Sequence, residues 1–452
     1  MKGLRHHLEG EIRELLQAHG VEVEVKLSRP PRPGMGDFAT NAALLMARTL
    51  RRPPAEIAQE LADWLQHLPA VARVEATGGF VNLTLKDNVL VDRLRTEFNE
   101  DPLPPLPVRS DMRVVVEFVS ANPTGPLNVV SARAAAVGDT LVRVMRFAGI
   151  PADREYYVND AGGQIRALQG SLEYRAGLRQ ALPEDGYGGA YVTELARILQ
   201  AEHVPVERWA QEAVQRILDG QMAVLRRYRV TFEAVIRESW VRQSPYPAQV
   251  RSRLTDYLYE KDGALYFRTT AFPAFRDDKD RVLVKSDGSY TYFASDVVYH
   301  MEKFDRGFAR VIDVWGADHH GYIPRMKAML AGLGHPPEDL EVLLIQMVNL
   351  LRDGQPVTMG KRSGNFVTLR EVINEVGRDA CRFMFLLRRC DSPLDFDLEL
   401  AKQQSTDNPV YYVQYAHARV CSINSNAAEA GVTQPQVGAV DLSKLELAEE
   451  LA

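Results

Sequence analysis

Several polar residues occur at places where the chain could act on phosphates or polar ligands. Lys361 and Arg362 lie beside glycines in a short basic loop, which suits contact with a polyphosphate. A second polar group directly follows the buried strand pattern of residues 311–316 and comprises Asp318, His319 and His320. A zinc site at these histidines is not expected, because no cysteine or carboxylate triad accompanies them at ligand spacing. A basic loop of this kind is more often simply solvated, so the residues alone leave two interpretations open: contact with a polyphosphate, or an ordinary surface loop.

Residues 114–147 carry the pattern of a buried strand, a turn and a helix. Branched apolar residues from Val114 predict a strand of a parallel sheet that ends near Glu117, and a turn rich in Asn, Pro and Gly follows. Helical spacing of apolar residues predicts a helix over 132–147. The N-terminus of such a helix presents free N–H groups above the strand end, which suits a nucleotide phosphate or a carboxylate. An ordinary βα turn would give the same pattern.

The residues of this unit resemble a known signature. The run Glu-Phe-Val-Ser-Ala-Asn-Pro-Thr-Gly-Pro-Leu at 117–127 is similar to the first-strand motif of class I arginyl-tRNA synthetases. The basic loop at 358–365 resembles the class I loop Lys-Met-Ser-Lys-Ser, with Gly360 where Ser is usual. Similar segments occur from Gly36 to Ser422, so the resemblance covers most of the chain.

The resemblance implies an α/β fold in three parts. Residues 1–105 would form an N-terminal α+β domain that touches the corner of the tRNA. Residues 106–400 would form a Rossmann-like catalytic domain with a parallel sheet and a helical insertion at about 165–255. Residues 401–452 would be the start of a truncated α-helical anticodon-binding domain, which is longer in the family.

The periodicity of the sequence adds detail to these three parts. Alternation predicts a half-exposed strand over 21–27 and two strands around a glycine turn within 74–83. Residues 165–255 show helical spacing and little strand signal, whereas 343–351 predicts one further strand. Asn408 and Pro409 predict a helix start close to Tyr411.

In this family, arginine reacts with ATP to give arginyl-adenylate, and the arginyl group then passes to arginine tRNA. The resemblance therefore implies arginine, ATP and arginine tRNA as partners, with magnesium on the ATP phosphates. It implies no tightly bound metal or organic cofactor. We further expect a cytoplasmic monomer that does not bind membranes.

The implied arginine site combines acidic and amide side chains. Glu117 would hold the α-amino group together with Asn122. Tyr292 and Asp296 would receive the guanidinium, whose planar fork of donors needs carboxylates, and Asp318 completes the implied set. Another interpretation of Glu117 is a carboxylate paired inside the core, which also demands a partner.

The other implied site residues form three sets. Those for catalysis are Asn128, Ser131, Lys361 and Arg362. Those for ATP are Pro126, Leu127, Asn128, Val130, Ser131, His319, Met359, Gly360 and Lys361. Those for tRNA are Asp37, Phe38, Asn41, Tyr411 and Tyr415.

The chain departs from the family at the four residues after Leu127. The family has His-Val/Ile-Gly-His there, whereas this chain has Asn128-Val129-Val130-Ser131. Ser131 is short and uncharged, and the branched Val130 would crowd the face on which adenine lies against bare glycine backbone. Losing one transition-state donor typically costs about 100- to 1000-fold in rate. We therefore expect weakened catalysis.

Two alternatives remain open at this stage. One is a non-catalytic arginine- or tRNA-binding paralogue that keeps the fold. The other is a nucleotidyltransferase that uses the same fold on a different amine or acid. ATP–pyrophosphate exchange with arginine would separate the ligase from both.

Composition sets outer bounds on these hypotheses. Hydrophobic residues make up 46% of the 452 residues and charged residues 25%, which is typical of a globular protein with room for several domains. The formal charge of −6 excludes a surface that is basic throughout, but it allows a local basic face. No apolar run reaches the roughly 18 residues of a membrane span. The three cysteines lack metal-ligand spacing and predict buried thiols in a reduced compartment.

Overall fold

The computed structural model describes residues 4–32, 34–89, 91–92, 110–275, 277–357 and 367–433. The chain divides into two compact units, Met1–Leu106 with Asn424–Ala452, and Pro107–Ile423. Within the described ranges, no helix is both long and apolar enough to cross a membrane.

The N-terminal unit is an antiparallel sheet covered by helices. Its elements are α1 (Leu4–Ala18), β1 (Leu27–Ser28), β2 (Phe38–Thr40), α2 (Ala42–Leu50), α3 (Pro54–Leu65), β3 (Val71–Thr77) and β4 (Phe80–Leu85). The sheet order is β1-β2-β4-β3. Leu8, Ile12 and Leu16 recur at a spacing of four along α1 and are buried, so α1 contributes one apolar stripe to this core. The two strands expected within 74–83 are present as β3 and β4.

The strand expected over 21–27 was wrong in extent. Only Leu27 and Ser28 pair with β2, opposite Thr40 and Ala39. Val25 and Leu27 are nonetheless buried, so the alternation of apolar and polar residues reflects burial of one side without strand pairing. Periodicity reports which side chains face a core, whereas a strand also needs a neighbouring backbone.

The second unit is built around parallel strands. Its strands are β5 (Val114–Glu117), β6 (Ala152–Val158), β7 (Ala234–Arg237), β8 (Leu258–Lys261), β9 (Ala264–Phe267), β10 (Arg281–Val284), β11 (Arg310–Gly316), β12 (Leu340–Ile345), β13 (Val348–Arg352), β14 (Gln355–Pro356) and β15 (Leu394–Asp397). Five of them form the central sheet in the order β12-β11-β5-β6-β7, and each neighbouring pair is parallel. Two small sheets have the orders β10-β9-β8 and β14-β13-β15.

Helices cover both faces of the central sheet. The helices that follow β5 along the chain are α4 (Val129–Phe147), α5 (Gly163–Arg175), α6 (Ala190–Ala201), α7 (Trp209–Arg227), α8 (Glu238–Gln243), α9 (Tyr246–Arg253), α10 (Tyr292–Asp305), α11 (Ile323–Gly332), α12 (Leu369–Val376), α13 (Arg378–Leu386), α14 (Leu398–Lys402) and α15 (Pro409–Glu429). Val116 of β5 packs in one core with residues of α4, and Val115 packs in another with residues of α10. The α/β fold with a Rossmann-like parallel sheet is therefore confirmed.

Two local predictions in this unit were wrong. Residues 165–255 contain the strand β7, which is the edge of the parallel sheet next to β6. The single strand expected over 343–351 is two strands in different sheets, because the chain leaves the central sheet after Ile345. There the Gln346 carbonyl accepts a hydrogen bond from the Arg133 guanidinium at 3.1 Å, which fixes the break between the strands.

The cysteines were expected to be buried, and this holds only in part. Cys381 is buried, Cys390 is half-buried and Cys421 is exposed. Cys421 lies on α15, and most side chains of this helix face solvent. Its exposure depends on that helix and could not be predicted from residue type alone.

Gly138 of α4 should be intolerant of any side chain. A Cβ placed there would lie 2.2 Å from Cγ of the fully buried Phe118 ring, so the core would have to shift. We expect Gly138→Ala to lower stability by about 1–3 kcal/mol despite its better helix propensity. Gly220→Ala in α7 is the matched control, because nothing lies within 4 Å of its Cβ position, and it should gain about 0.5–1 kcal/mol. Equal thermal unfolding midpoints for the two variants would contradict this packing.

Candidate active site

Three buried carboxylates lie side by side across the central sheet. Asp313 of β11 is paired in register with Glu117 of β5, and Glu117 is paired with Glu155 of β6. Directly opposed residues of parallel strands point to the same face, so the three acids form one row. Their exposed fractions are 0%, 8% and 1%. Such a row cannot stay charged in a core unless cations reach it.

Helix α10 supplies cations that match the row. His300, Lys303 and Arg306 recur every three residues and so lie near one side of the helix. Lys303 Nζ lies 2.5 Å from Glu117 Oε2 and 3.1 Å from Asp313 Oδ1. His300 Nε2 lies 2.7 Å from Asp313 Oδ2, and Arg306 grips both oxygens of Glu155 at 2.6 and 2.9 Å. Each acid in the row therefore has a cationic or imidazole partner.

The charge states of this network follow from burial and pairing. Burial opposes the charge of Lys303, but Asp313 and Glu117 outweigh burial and raise the lysine pKa. Burial also works against the ionised form of Asp313, but the charge of Lys303 and the contacts with His300 lower its pKa to about 2. Burial raises the pKa of Glu117, and Lys303 opposes that shift. The row is thus held by an ion-paired lysine that is itself fully buried.

Glu117 is paired inside the core, as one interpretation of the sequence required. Its Oε1 accepts a hydrogen bond from Ser120 Oγ at 2.8 Å, while Oε2 contacts Lys303. The carboxylate nevertheless lies at the C-terminal end of β5, where ligands of parallel α/β sheets bind. Each carboxylate oxygen can accept a second bond, so these contacts leave room for an ammonium group.

Asp296, expected to receive the guanidinium, belongs to the same cluster. Its Oδ2 accepts a hydrogen bond from the Tyr322 hydroxyl at 2.6 Å, and its backbone oxygen lies 2.8 Å from His300 Nδ1. Burial raises the pKa of Asp296 to about 7, and the neighbouring charges of Glu117 and Glu238 add to the increase. The structure therefore brings Asp296 and Glu117 close enough for their charges to interact.

Tyr157 has a buried hydroxyl beside this cluster. Among the described residues the hydroxyl has no hydrogen-bond partner. Burial raises its pKa first, followed by the carboxylates of Glu238, Asp296 and Glu117. Its ring stacks on Tyr299 with centroids 4.5 Å apart. An unsatisfied hydroxyl among three carboxylates is a place where a cation with several donors would complete the hydrogen bonds.

Glu238 is a candidate residue that the sequence analysis missed. It directly follows β7, is 1% exposed and contacts Arg242 on the next turn of α8. With its amide turned so that the nitrogen faces Glu238, Asn159 donates to Oε2 at 2.7 Å. An acidic residue directly after a strand would have indicated a site residue, but β7 was not predicted from the sequence.

Three other residues were expected to bind arginine, and they are more exposed than the buried carboxylates. They are Asn122, Tyr292 and Asp318. Asn122 is half-buried, Tyr292 is 52% exposed and the Asp318 side chain is 82% exposed. Asp318 lies in a 3-10 turn after β11 and is 3.6 Å from His319 Nε2. In the described part of the chain, none of these three side chains forms a hydrogen bond or ion pair with the buried acids.

The nucleotide end of the site begins at helix α4. Asn128 is its N-cap, and its Oδ1 accepts from the Ser131 N–H at 3.0 Å. This cap leaves the amide nitrogen of Asn128 as the group that could donate to a phosphate. Val130 is 36% exposed in the first turn, whereas Leu127 is 3% exposed and packs in the core, so Leu127 could meet ATP only through its backbone. The exposed Pro126 lies just before Leu127.

The expected phosphate loop lies outside the described residues. Met359, Gly360, Lys361 and Arg362 fall in the range 358–366, so their roles stay predictions. His319 is accessible at 59% of its side chain. Across the described ranges, no group of three or more His, Cys, Asp and Glu side chains could hold a metal ion.

The candidate tRNA residues have mixed settings. Asp37 Oδ2 accepts a hydrogen bond from the Leu85 N–H at 2.8 Å, so this carboxylate already joins β2 to β4. Phe38 is partly buried against the core and Asn41 is exposed. Tyr411 and Tyr415 stack on α15 with ring centroids 6.2 Å apart, and Tyr415 is 51% exposed.

Comparisons with known proteins agree with this architecture. Residues 2–85 match the family model of the arginyl tRNA synthetase N terminal domain, and residues 190–386 match the catalytic domain of tRNA synthetases class I (R). The chain is 48% identical to an arginine–tRNA ligase of Syntrophotalea carbinolica, over 99% of this chain and 85% of that one. It is 44% identical to an arginine–tRNA ligase of Symbiobacterium thermophilum, over 94% and 79% of the two chains.

A solved structure supports the fold independently. The Thermus thermophilus arginyl-tRNA synthetase aligns with a TM-score of 0.78 over 97% of this chain and 84% of that chain, at 24% identity. The parallel sheet, the strand-end acids and these matches define a class I aminoacyl-tRNA synthetase fold. Within that class, the extent and identity of the matches show that the chain belongs to the arginyl-tRNA synthetase family.

Removing the charge of Lys303 should damage the catalytic unit. Lys303→Met leaves Glu117 and Asp313 buried without their shared cation, and breaking a buried pair typically costs about 3–5 kcal/mol. Lys285→Met is the control, because Lys285 is exposed. We expect the thermal unfolding midpoint to fall sharply for the first variant and to stay near the parent value for the second. An unchanged midpoint for Lys303→Met would show that the network is not needed for stability.

Proposed function

We propose that this chain is an arginine–tRNA ligase, which activates arginine with ATP to arginyl-adenylate and transfers the arginyl group to arginine tRNA. Family membership supports the reaction class. The observation that supports arginine as the amino acid is the Tyr157 hydroxyl, which lies near Glu117, Asp296 and Glu238 and has no hydrogen-bond partner in the described part of the chain. A guanidinium could donate to this hydroxyl and to carboxylates at once, because it carries five N–H donors in one plane.

Recognition of arginine would depend on geometry more than on charge. Asp296, with one oxygen fixed by Tyr322, would accept paired bonds from the guanidinium. Glu238 lies near the same hydroxyl and would accept another bond. Lysine would bind more weakly, because an ammonium is a point charge that cannot match a two-point fork.

The α-amino group of arginine would bind at the end of β5. Glu117 would receive the ammonium together with the Asn122 side chain, whereas Tyr292 at the start of α10 would receive the guanidinium together with Asp296. Lys303 forms an ion pair with Glu117 Oε2, so the carboxylate would keep its position when the ligand enters or leaves. Positioning of this kind supplies rate without covalent chemistry.

The phosphates of ATP would lie over the N-terminus of α4. The arginine carboxylate attacks the α-phosphorus, and negative charge develops on the phosphate oxygens. Asn128 could donate through its amide nitrogen, and the free N–H groups of the first helical turn face the same region. Magnesium would arrive on the ATP phosphates and neutralise part of their charge. Lys361 and Arg362 remain the proposed cationic partners from the second loop.

The altered first motif predicts a weak activation step. Asn128 Oδ1 is committed to the helix cap, and the Ser131 side chain is short, so the two imidazoles of the family motif have no equivalent here. Each lost donor would cost about 100- to 1000-fold in rate. The same observation favours the second candidate, a non-catalytic paralogue that binds arginine or tRNA.

Contacts with tRNA are proposed for both ends of the chain. Phe38 and Asn41 would meet the corner of the tRNA, and Tyr411 with Tyr415 would begin the anticodon contact. Asp37 would act through the backbone that it fixes. This function would place the protein in the cytoplasm, and we expect a monomer.

ATP–pyrophosphate exchange with arginine and arginine tRNA tests the proposal. We expect slow exchange that needs arginine, and a gain of about 100-fold or more when Asn128→His, Val130→Gly and Ser131→His restore the donors together. Arginine binding by calorimetry without exchange, in the parent and in the triple variant, would favour the non-catalytic paralogue. Exchange driven by another acid would refute arginine as the substrate.

Arginine affinity should depend on pH through Asp296. Its pKa of about 7 means that the carboxylate is charged above that pH and is neutralised as pH falls through it. A guanidinium needs the charged form, so we expect binding at pH 6 to be about tenfold weaker than at pH 8. Calorimetry at these two pH values measures the effect. In Asp296→Asn the affinity should be low at both values, and a pH dependence equal to that of the parent would exclude Asp296 as its source.

A further inference from the structure

The backbone between β5 and α4 begins with two strained residues. Val119 has φ of 68° and Ser120 has φ of 36°, and both lie in the left-handed region. A branched residue such as valine rarely adopts that conformation, because its side chain crowds the backbone. Strained backbone persists only where the surrounding structure holds it in place. The turn after Glu117 therefore needs contacts that fix it.

The sheet supplies the first of these contacts. Ser120 Oγ donates to Glu117 and accepts from the Tyr157 N–H at 3.1 Å. The Tyr156 hydroxyl accepts from the Ala121 N–H at 3.1 Å. These bonds hold residues 120 and 121 but do not reach the rest of the turn.

The rest of the turn is held by a side chain of α7. Gln221 is 2% exposed, and its Nε2 donates to the backbone oxygens of Asn122 at 3.1 Å and Gly125 at 2.8 Å. Its Oε1 accepts from the Tyr156 hydroxyl at 2.9 Å. The Gln221 amide thus donates both of its N–H groups to the turn and accepts one hydrogen bond from Tyr156 of β6. Loss of this amide would remove the donors to the two backbone oxygens, whereas the Tyr156 hydroxyl also lies 3.0 Å from the Ala121 oxygen and could donate there.

A tyrosine of the neighbouring helix α6 also donates a hydrogen bond to the turn. The Tyr191 hydroxyl of α6 donates to the Thr124 backbone oxygen at 2.6 Å. A Cβ at Gly125 would lie 3.1 Å from this hydroxyl, so the turn passes close beneath the tyrosine. The helices α6 and α7 therefore donate hydrogen bonds to three backbone oxygens of the turn, those of Asn122, Thr124 and Gly125.

Helix α7 is well suited to carry such a contact. Trp209, Ala213 and Val214 pack in the core of the inserted helices, whereas Leu218, Val224 and Leu225 pack in the core of the parallel sheet. Gln221 lies in the second half, where α7 is already fixed to the sheet. Its amide is therefore held by packing on both sides along the helix.

We propose that Gln221 is a positioning residue for the amino-acid site, because its buried amide holds the strained turn that presents Asn122 to arginine. This inference rests on the proposed function for the identity of the ligand. Gln221 touches no substrate and acts through the turn. Its loss would release the backbone oxygens of Asn122 and Gly125, so the position of Asn122 would no longer be fixed. ATP binding at the start of α4 would be affected much less, because Asn128 is held by its own cap.

Three variants test the role of Gln221. Gln221→Met keeps the length of the side chain and removes all three hydrogen bonds. Gln221→Glu keeps an acceptor for Tyr156 but loses both donors, so it isolates the two carbonyl contacts. Tyr156→Phe weakens the same support from the sheet side and serves if the first two fold poorly. Gln211→Met is the control, because Gln211 is exposed on the same helix.

Calorimetry with arginine and, separately, with ATP distinguishes a selective loss of arginine affinity from a general loss of structure. We expect the arginine Kd of Gln221→Met and Gln221→Glu to rise about tenfold or more, with the ATP Kd within about twofold of the parent. A merely structural role would lower the unfolding midpoint without such selectivity at a temperature well below it. Equal changes in both affinities, or an unchanged arginine Kd in folded variants, would overturn the proposal.

Hydrogen exchange of the free protein tests the positioning step without any ligand. We expect Gln221→Met to speed exchange in residues 119–127 and to leave β11 and β12 as protected as in the parent. Unchanged exchange in 119–127 would refute the inference even if the parent binds arginine. A parent that binds no arginine would refute the proposed function, while faster exchange in the variant would still support the positioning role.

Discussion

A lysine buried between two carboxylates is the interaction on which the catalytic unit depends. The register of three parallel strands puts Asp313, Glu117 and Glu155 next to one another on one face of the sheet. Their mutual repulsion in a dry interior would exceed what packing could offset, so the helix above them must carry cations at matching positions. Lys303 of α10 and Arg306 at its C-cap meet that need, and His300 completes the line. The docking of α10 on the sheet is therefore specified by charge as well as by apolar packing.

This constraint also prepares the binding site. Once α10 is docked, Asp296 in its first turns lies near the ends of the strands, where Glu117 and Tyr157 already face. The carboxylates that stabilise the fold and those proposed to face arginine thus belong to one network, and His300 influences the charge of both Asp313 and Asp296. Burial raises the pKa of Asp296 to about 7, so the carboxyl group is only partly ionised at neutral pH, and an arriving guanidinium would complete its ionisation.

The sequence was sufficient for features with local causes. The strand at Val114, the turn and the helix to Phe147 follow from apolar spacing and from Asn, Pro and Gly, and the acid at 296 came from family resemblance. Lys303 and Gln221 could not be found in this way, because each acquires its partners from strands or turns far away in the chain. Likewise β7 is only four residues long and becomes a strand by pairing with β6, so Glu238 at its end remained hidden.

The cap of α4 shows what the altered motif has given the chain. Asparagine is among the best residues at a helix N-cap, and here its oxygen satisfies an N–H that histidine would satisfy less well. The exchange therefore strengthens the start of a central helix at a position where the family keeps a reactive group. Under the proposed function, stability and turnover would compete for the same side chain, and a stronger helix start is a physical reason for an asparagine there.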